Sequence, residues 1–356
     1  MRLSDLTAST SRLALVGLAK NTGKTVALAA LLRELQARER RVGVTSVGRD
    51  GEERDVIDSR IEKPRLRLPD GSLVATTDGL LRASGLAHEL LERTGLRTPL
   101  GEVLIARLRG GGVIEVAGPS AAAEVRAVSD TMLDHGAEQV LIDGAIDRRA
   151  ASSPDVADGL LMSTGAVLGE DLAEVVAQTR DAVDLVRLPL LEAPALRAAA
   201  DEHARGASVL VREDGEPVSL PPRFVLSAED EQIARLLAAN PSARWLIVDG
   251  ALPDSFLQGL LPAMRRGGRE LAVVVCDSTR VFLSGHGPAW YRRQGVHIQT
   301  LRAIELKAIT VNPLAPRSHR FDSAQLRELL AEAITDVPIF DVLHPDYRGA
   351  PQAARL

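Results

Sequence analysis

The stretch Gly17-Leu18-Ala19-Lys20-Asn21-Thr22-Gly23-Lys24-Thr25 constrains this chain more than any other. The apolar run Leu13-Ala14-Leu15-Val16 leads into it, and Val26-Ala27-Leu28-Ala29-Ala30-Leu31-Leu32, rich in helix formers, leaves it. Strand, loop, Gly-Lys-Thr and helix is the order of a phosphate-binding loop. Backbone N–H groups at a helix N-terminus cradle the anion, where the peptide dipoles favour negative charge. Gly17, Asn21, Thr22, Gly23, Lys24, Thr25 and Val26 are the expected nucleotide-binding residues. Lys24 reaches the β- and γ-phosphates, and Thr25 offers its hydroxyl to Mg²⁺. Five residues separate Gly17 from Gly23, one more than in the commonest form.

Composition supports this from another direction. Of 43 basic residues only Lys20, Lys24, Lys63 and Lys307 are lysine, and two of those four lie in the loop. A chain that uses Arg elsewhere keeps a compact ammonium where a phosphate is to be met. A net charge of −5 with scattered arginines speaks against a nucleic-acid partner. The single Cys276 excludes a disulfide framework and reads as a buried free thiol. No apolar run nears the roughly 18–20 residues of a membrane span, and the N-terminus, with Asp5, does not read as a signal peptide. A cytoplasmic protein without a membrane partner is expected.

Further along, residues 41–47 predict a second strand. It enters a charged loop in which Asp50, and after it Asp55, is positioned to face Mg²⁺ or to place water. Asp78 is expected to cap a helix over 78–93, and the triple glycine at 110–112 to turn a hairpin between strands 102–107 and 113–116. The apolar strand 139–147 carries Asp143-Gly144-Ala145, and a carboxylate at a strand end suits a hard cation that wants oxygen ligands. Val248-Asp249-Gly250-Ala251 echoes it faintly. Asn312, ending the strand 308–311 before Pro313, has the donor and acceptor to read an adenine edge. No Asn-Lys-x-Asp guanine signature is present, which favours ATP.

Strand and helix alternate throughout, so the expected class is α/β: a mainly parallel sheet with helices on both faces, a P-loop NTPase fold with a hairpin-containing insertion. The expected division is a nucleotide-binding region over 1–190, a connecting helix and hairpin over 191–220, an α/β region over 221–345 continuing the same sheet, and a loose tail over 346–356, with Tyr347 already in it.

The long loop together with Asp143-Gly144-Ala145 resembles the dethiobiotin-synthetase branch of phosphate-loop proteins. That resemblance implies a magnesium shell of Thr25, a carboxylate after strand two (Asp50 or Asp55) and Asp143. The chain departs from that branch at positions 19–22, which read Ala-Lys-Asn-Thr. It departs again after strand two, where Ser46 and Val47 stand in place of a substrate-activating lysine. A wider likeness runs through the loop, Thr45-Ser46-Val47-Gly48-Arg49-Asp50-Gly51-Glu52, Lys63-Pro64-Arg65, Ser163-Thr164-Gly165-Ala166 and Thr310-Val311-Asn312-Pro313. These segments resemble the ATPase-subunit family of lysine 5,6-aminomutase reactivases. The resemblance implies an ATP- and Mg²⁺-dependent hydrolase that drives exchange of damaged cofactor from an adenosylcobalamin-dependent aminomutase, together with a second reactivase subunit. Its cofactors are ATP and Mg²⁺, Lys24 and Asp50 its catalytic residues, and a homodimer is compatible with it. The alternatives are an ATP-dependent small-molecule kinase or ligase resembling dethiobiotin synthetase, and a nucleotide-binding regulator without turnover.

Overall fold

The computed structural model describes residues 1–48, 65–145, 149–194, 196, 207–267, 269–316 and 318–347. Its strands in chain order are β1 (Arg12–Gly17), β2 (Val42–Ser46), β3 (Leu66–Leu68), β4 (Leu73–Thr77), β5 (His88–Thr98), β6 (Gly101–Leu108), β7 (Gly112–Ile114), β8 (Gln139–Ala145) and β9 (Gly159–Gly165). They continue as β10 (Val209–Arg212), β11 (Pro217–Ser219), β12 (Ala243–Ile247), β13 (Leu252–Pro253), β14 (Leu271–Val275), β15 (Val281–Phe282), β16 (Val296–Thr300), β17 (Glu305–Asn312) and β18 (Ile339–Phe340). The helices needed below are α1 (Leu3–Leu6), α2 (Lys24–Gln36) and α3 (Asp78–Ala83). Two compact units divide the chain, Met1–Thr179 with Ile304–Leu356, and Arg180–Ala303.

The first unit holds a nine-stranded, mostly parallel sheet in the order β18-β17-β9-β1-β8-β2-β4-β6-β5. Only β6 is reversed, running antiparallel to both β4 and β5. β1 is central, parallel to β8 on one side and β9 on the other. Its Leu13-Ala14-Leu15 run is fully buried, as expected of a strand covered on both faces. Leu13 and Leu15 share one buried cluster with Ala27, Leu28, Leu31 and Leu35 of α2, Val42 and Val44 of β2, Leu141 of β8 and Leu161 of β9. Each fully buried Leu contributes about 1.5–3 kcal/mol over its exposed state, so α2 is held at its start by a deep apolar anchor. The chain leaves β1 for β2 on one side and later reaches β9 on the other, so its direction across the sheet reverses at β1. Ligands of open α/β sheets sit outside the strand C-termini at such a reversal.

Several expectations give way here. The helix begun at Asp78 ends at Ala83, and residues 88–98 form β5 instead. β6 offers a second edge, and pairing with it outweighs the helix propensity of a Leu-, Glu- and Arg-rich segment. The triple glycine does not join a hairpin. Both edges of β6 are taken by β4 and β5, so β7 pairs with β3. The region 221–345 does not continue a single sheet. The hairpin expected at 209–218 is present as β10 and β11, but it edges a separate five-stranded sheet, β11-β10-β12-β14-β16, within Arg180–Ala303. Only β17 and β18 rejoin the first sheet. Tyr347 is buried, not loose: its hydroxyl donates to Glu34 of α2 at 2.5 Å and accepts from Leu3 N of α1 at 3.2 Å. Residues 348–356, and nearly all of the connecting helix expected over 195–204, lie outside the described residues. Among the described residues no helix is long and apolar enough to cross a membrane.

Candidate functional site

The registers of five parallel strands bring their C-terminal ends together at β1. Gly17 stands opposite Ala145 of β8 and Ser163 of β9, Ser46 of β2 opposite Asp143, and Asn312 of β17 opposite Gly165. The loop 17–25 leaves β1 at the middle of this row. It is tied to β9 where Leu18 N donates to Ser163 O at 2.9 Å. Thr22, 1% exposed, turns its hydroxyl inward to donate to Ala19 O at 3.0 Å, so it braces the loop from within.

Two residues turn the loop into the helix through the left-handed region, Asn21 at φ 67° and Gly23 at φ 85°. Asn is the non-glycine residue that tolerates this region best, and at Gly23 any side chain would meet the conformational penalty in full. Gly23 is the N-cap of α2 and offers no capping side chain. The first-turn N–H groups of Lys24, Thr25 and Val26 have no carbonyl one turn earlier within the helix, and that end carries its positive dipole. An anion is the complement of such an end. Thr25 is half-buried and Val26 is 38% exposed at the same end.

Lys24 carries the decisive geometry. Its Nζ donates to Gly144 O at 2.7 Å and lies 2.7 Å from Asp143 Oδ1. Both side chains are about four-fifths buried, 21% and 22% exposed, so their attraction is screened less than that of a surface pair. Asp143 Oδ1 is sealed from solvent, with the Lys24 ammonium against it at charge-assisted contact distance. Lysine and carboxylate, 119 positions apart in sequence, meet because β1 and β8 are neighbours in register.

No protein-family model and no curated protein matches this chain.

The remaining expected residues divide as follows. Asn312 is brought to the loop, where its Nδ2 donates to Asn21 O at 2.7 Å and its Oδ1 accepts from Leu314 N at 3.2 Å. Asp50 and Asp55 lie outside the described residues. Asp249 and Cys276 belong to the second unit; Cys276 is half-buried, with Arg302 donating to its Sγ at 2.6 Å. Ser46 turns its hydroxyl away from ligand chemistry, donating to Val116 O at 3.3 Å and accepting from Gly118 N at 3.0 Å.

Sequence reasoning passed over two contributors. The Gly144 carbonyl is the acceptor that orients the lysine, and a backbone acceptor leaves no residue-type signal. Gly165 is the other: a Cβ there would lie inside van der Waals contact of the Asn312 carbonyl oxygen and 3.0 Å from its Cβ. Its absence lets β17 and β9 close up beside the loop. Position 165 sits one residue past a Ser-Thr pair at a strand end, a signal readable only once the strand order is known.

For a divalent cation, the described residues at the loop supply one carboxylate, Asp143, and one hydroxyl, Thr25. That set fits Mg²⁺, which takes one or two protein oxygens and fills its octahedron with phosphate oxygens and water. It does not make a protein cage, and among the described residues no group of three His, Cys, Asp or Glu side chains gathers to hold a metal.

Proposed function

We propose that this chain is a Mg²⁺-dependent P-loop ATPase. The observation that carries the reading is the Lys24 ammonium, 2.7 Å from both the Asp143 carboxylate and the Gly144 carbonyl at the uncapped start of α2. Lys24 would exchange these oxygens for the β- and γ-phosphates and meet the charge that develops on the transferred group. The first-turn N–H groups of α2 would hold the phosphates. Asp143 and Thr25 would hold Mg²⁺, which when bound neutralises phosphate charge and polarises the phosphoryl oxygens. Asp50 remains the proposed partner for the cation or the attacking water. Further support comes from the reversal of the chain at β1, where open α/β sheets bind ligands.

The wider role rests on the sequence resemblance alone: ATP hydrolysis drives release of damaged cofactor from an adenosylcobalamin-dependent aminomutase, in concert with a second reactivase subunit. Nothing in the phosphate-loop geometry bears on cobalamin. Titration of Mg·ATP into the wild-type chain and into Lys24→Ala tests the core of the reading. We expect micromolar-to-millimolar binding in the first and its loss in the second. Hydrolysis by Lys24→Ala at the wild-type rate refutes the assignment. Stimulation of turnover by an aminomutase carrying inactivated cofactor supports the wider role; dependence on a small amine or carboxylate acceptor would replace it with a kinase or ligase.

A further inference from the structure

We propose that Asn312 is a positioning residue of the phosphate loop and not a reader of the nucleotide base. The proposal rests on the P-loop reading above. Its carboxamide is engaged at both ends by backbone groups: Nδ2 donates one of its two hydrogens to Asn21 O at 2.7 Å, and Oδ1 accepts from Leu314 N at 3.2 Å. The orientation is fixed by chemistry, because turning the amide over would set oxygen against the Asn21 carbonyl and NH₂ against the Leu314 N–H. A bidentate contact with an adenine edge needs the remaining Nδ2 hydrogen and Oδ1 lone pair on one open edge, whereas the two bonds hold the amide plane toward the loop and the following turn.

What Asn312 holds is the part of the loop that most needs holding. Asn21 is a non-glycine residue at φ 67°, and two residues on Gly23 stands at φ 85°. Such conformations persist when the surroundings enforce them. Asn312 grips the carbonyl of the first and packs against the second, where a Cβ on Gly23 would lie 3.2 Å from Asn312 Cβ. The grip is itself rigid, since Asn312 ends β17 opposite Gly165 of β9, and β9 also accepts the loop's Leu18 N–H through Ser163 O. The loop is therefore clamped from two strands, at its entry by β9 and at its turn by β17. Its phosphate-facing N–H groups are set before any ligand arrives, which lowers the ordering cost of binding.

The two roles separate when a ligand has phosphates and no base. Wild type, Asn312→Ala and Asn312→Leu, the last keeping the branched shape without the polar atoms, are titrated with Mg·tripolyphosphate, Mg·ATP and Mg·GTP. Thermal melting of each ligand-free protein selects variants that stay folded. A positioning role predicts that all three ligands weaken by a common factor of about five, the worth of one net hydrogen bond. It also predicts that KM for ATP rises by that factor with kcat within twofold, because the lost interaction serves ground and transition state alike. A loss confined to ATP with tripolyphosphate unchanged overturns the proposal and returns Asn312 to the base, and affinities unchanged for all three ligands overturn it as well. Failure of wild type to bind either ATP or tripolyphosphate refutes the P-loop reading, and this proposal with it, whatever the variants do.

Discussion

Replacing Asp143 with Asn should make nucleotide binding tighter in the absence of Mg²⁺ and weaker in its presence. In the ligand-free chain Lys24 Nζ lies 2.7 Å from Asp143 Oδ1, so an arriving phosphate must take the ammonium from the carboxylate and leave that carboxylate beside an anion. At this distance the gross attraction is about 6 kcal/mol for an effective dielectric of about 20. Most of it is offset by the solvation each ion regains on separation. For side chains 21% and 22% exposed we take a net of about 1–2 kcal/mol, between the values of surface and buried pairs. That corresponds to a factor of about 5–30 in affinity. The neutral amide of Asp143→Asn keeps the shape and releases Lys24, so ATP should bind about 5–30 times tighter than to wild type in EDTA. With millimolar Mg²⁺ the order reverses, because Asn is the poorer ligand for a hard cation. Calorimetric titration of ATP under both conditions gives the two ratios. If Asp143→Asn weakens binding in EDTA, or leaves the Mg²⁺ dependence unchanged, the competition between carboxylate and phosphate for Lys24 is not what governs the site.

Three further outcomes follow from packing and charge. Gly165→Ala puts a methyl group against the Asn312 carbonyl, so urea unfolding should show a loss of about 1–3 kcal/mol and tripolyphosphate affinity should fall with it; a neutral result would mean that β9 and β17 separate freely. Tyr347→Phe leaves Glu34, 3% exposed, with only Ser4 N at 2.9 Å among the bonds described, and should cost about 1–3 kcal/mol by the same measurement; a cost below about 0.5 kcal/mol would show the C-terminal anchor to be incidental. Burial, and then the charge of Asp184, raises the pKa of Asp181, so in the folded state its charged form is disfavoured. Stability held while Asp181 is protonated is lost as pH rises through the raised value. Asp181→Asn should therefore be more stable than wild type near pH 7, with the advantage vanishing below about pH 4, and a pH-independent difference would contradict this.

How much of this could be read from the chain alone depended on how local the physics was. The strand, loop and helix from Arg12 to Gln36 were legible because the apolar run, the Gly-Lys-Thr and the helix formers lie next to one another and act over one or two turns. Asp143 was legible as a carboxylate near the end of an apolar strand, yet its meeting with Lys24 requires β8 to lie beside β1. The segment 88–93 looked helical by composition and became part of β5 because β6 had an open edge. The glycines at 110–112 looked like a hairpin and were not one because β6 had no edge left. Asn312 was legible as a polar residue at a strand end, but its partner is a backbone carbonyl 291 positions away.

The amino-acid order by itself determined that a phosphate-loop-like turn stands at the head of a helix, that strands and helices alternate, and that two of the four lysines are set in that turn. Those follow from residue propensities and spacing over a few neighbours. Tertiary structure alone decided that the strands divide among a nine-stranded, a five-stranded and smaller sheets instead of joining one, that β8 lies beside β1 so that Asp143 faces Lys24, and that Asn312 closes on Asn21. Each of these depends on which strand edges remain unpaired once the others have met, and that is a property of the whole chain, not of any window within it.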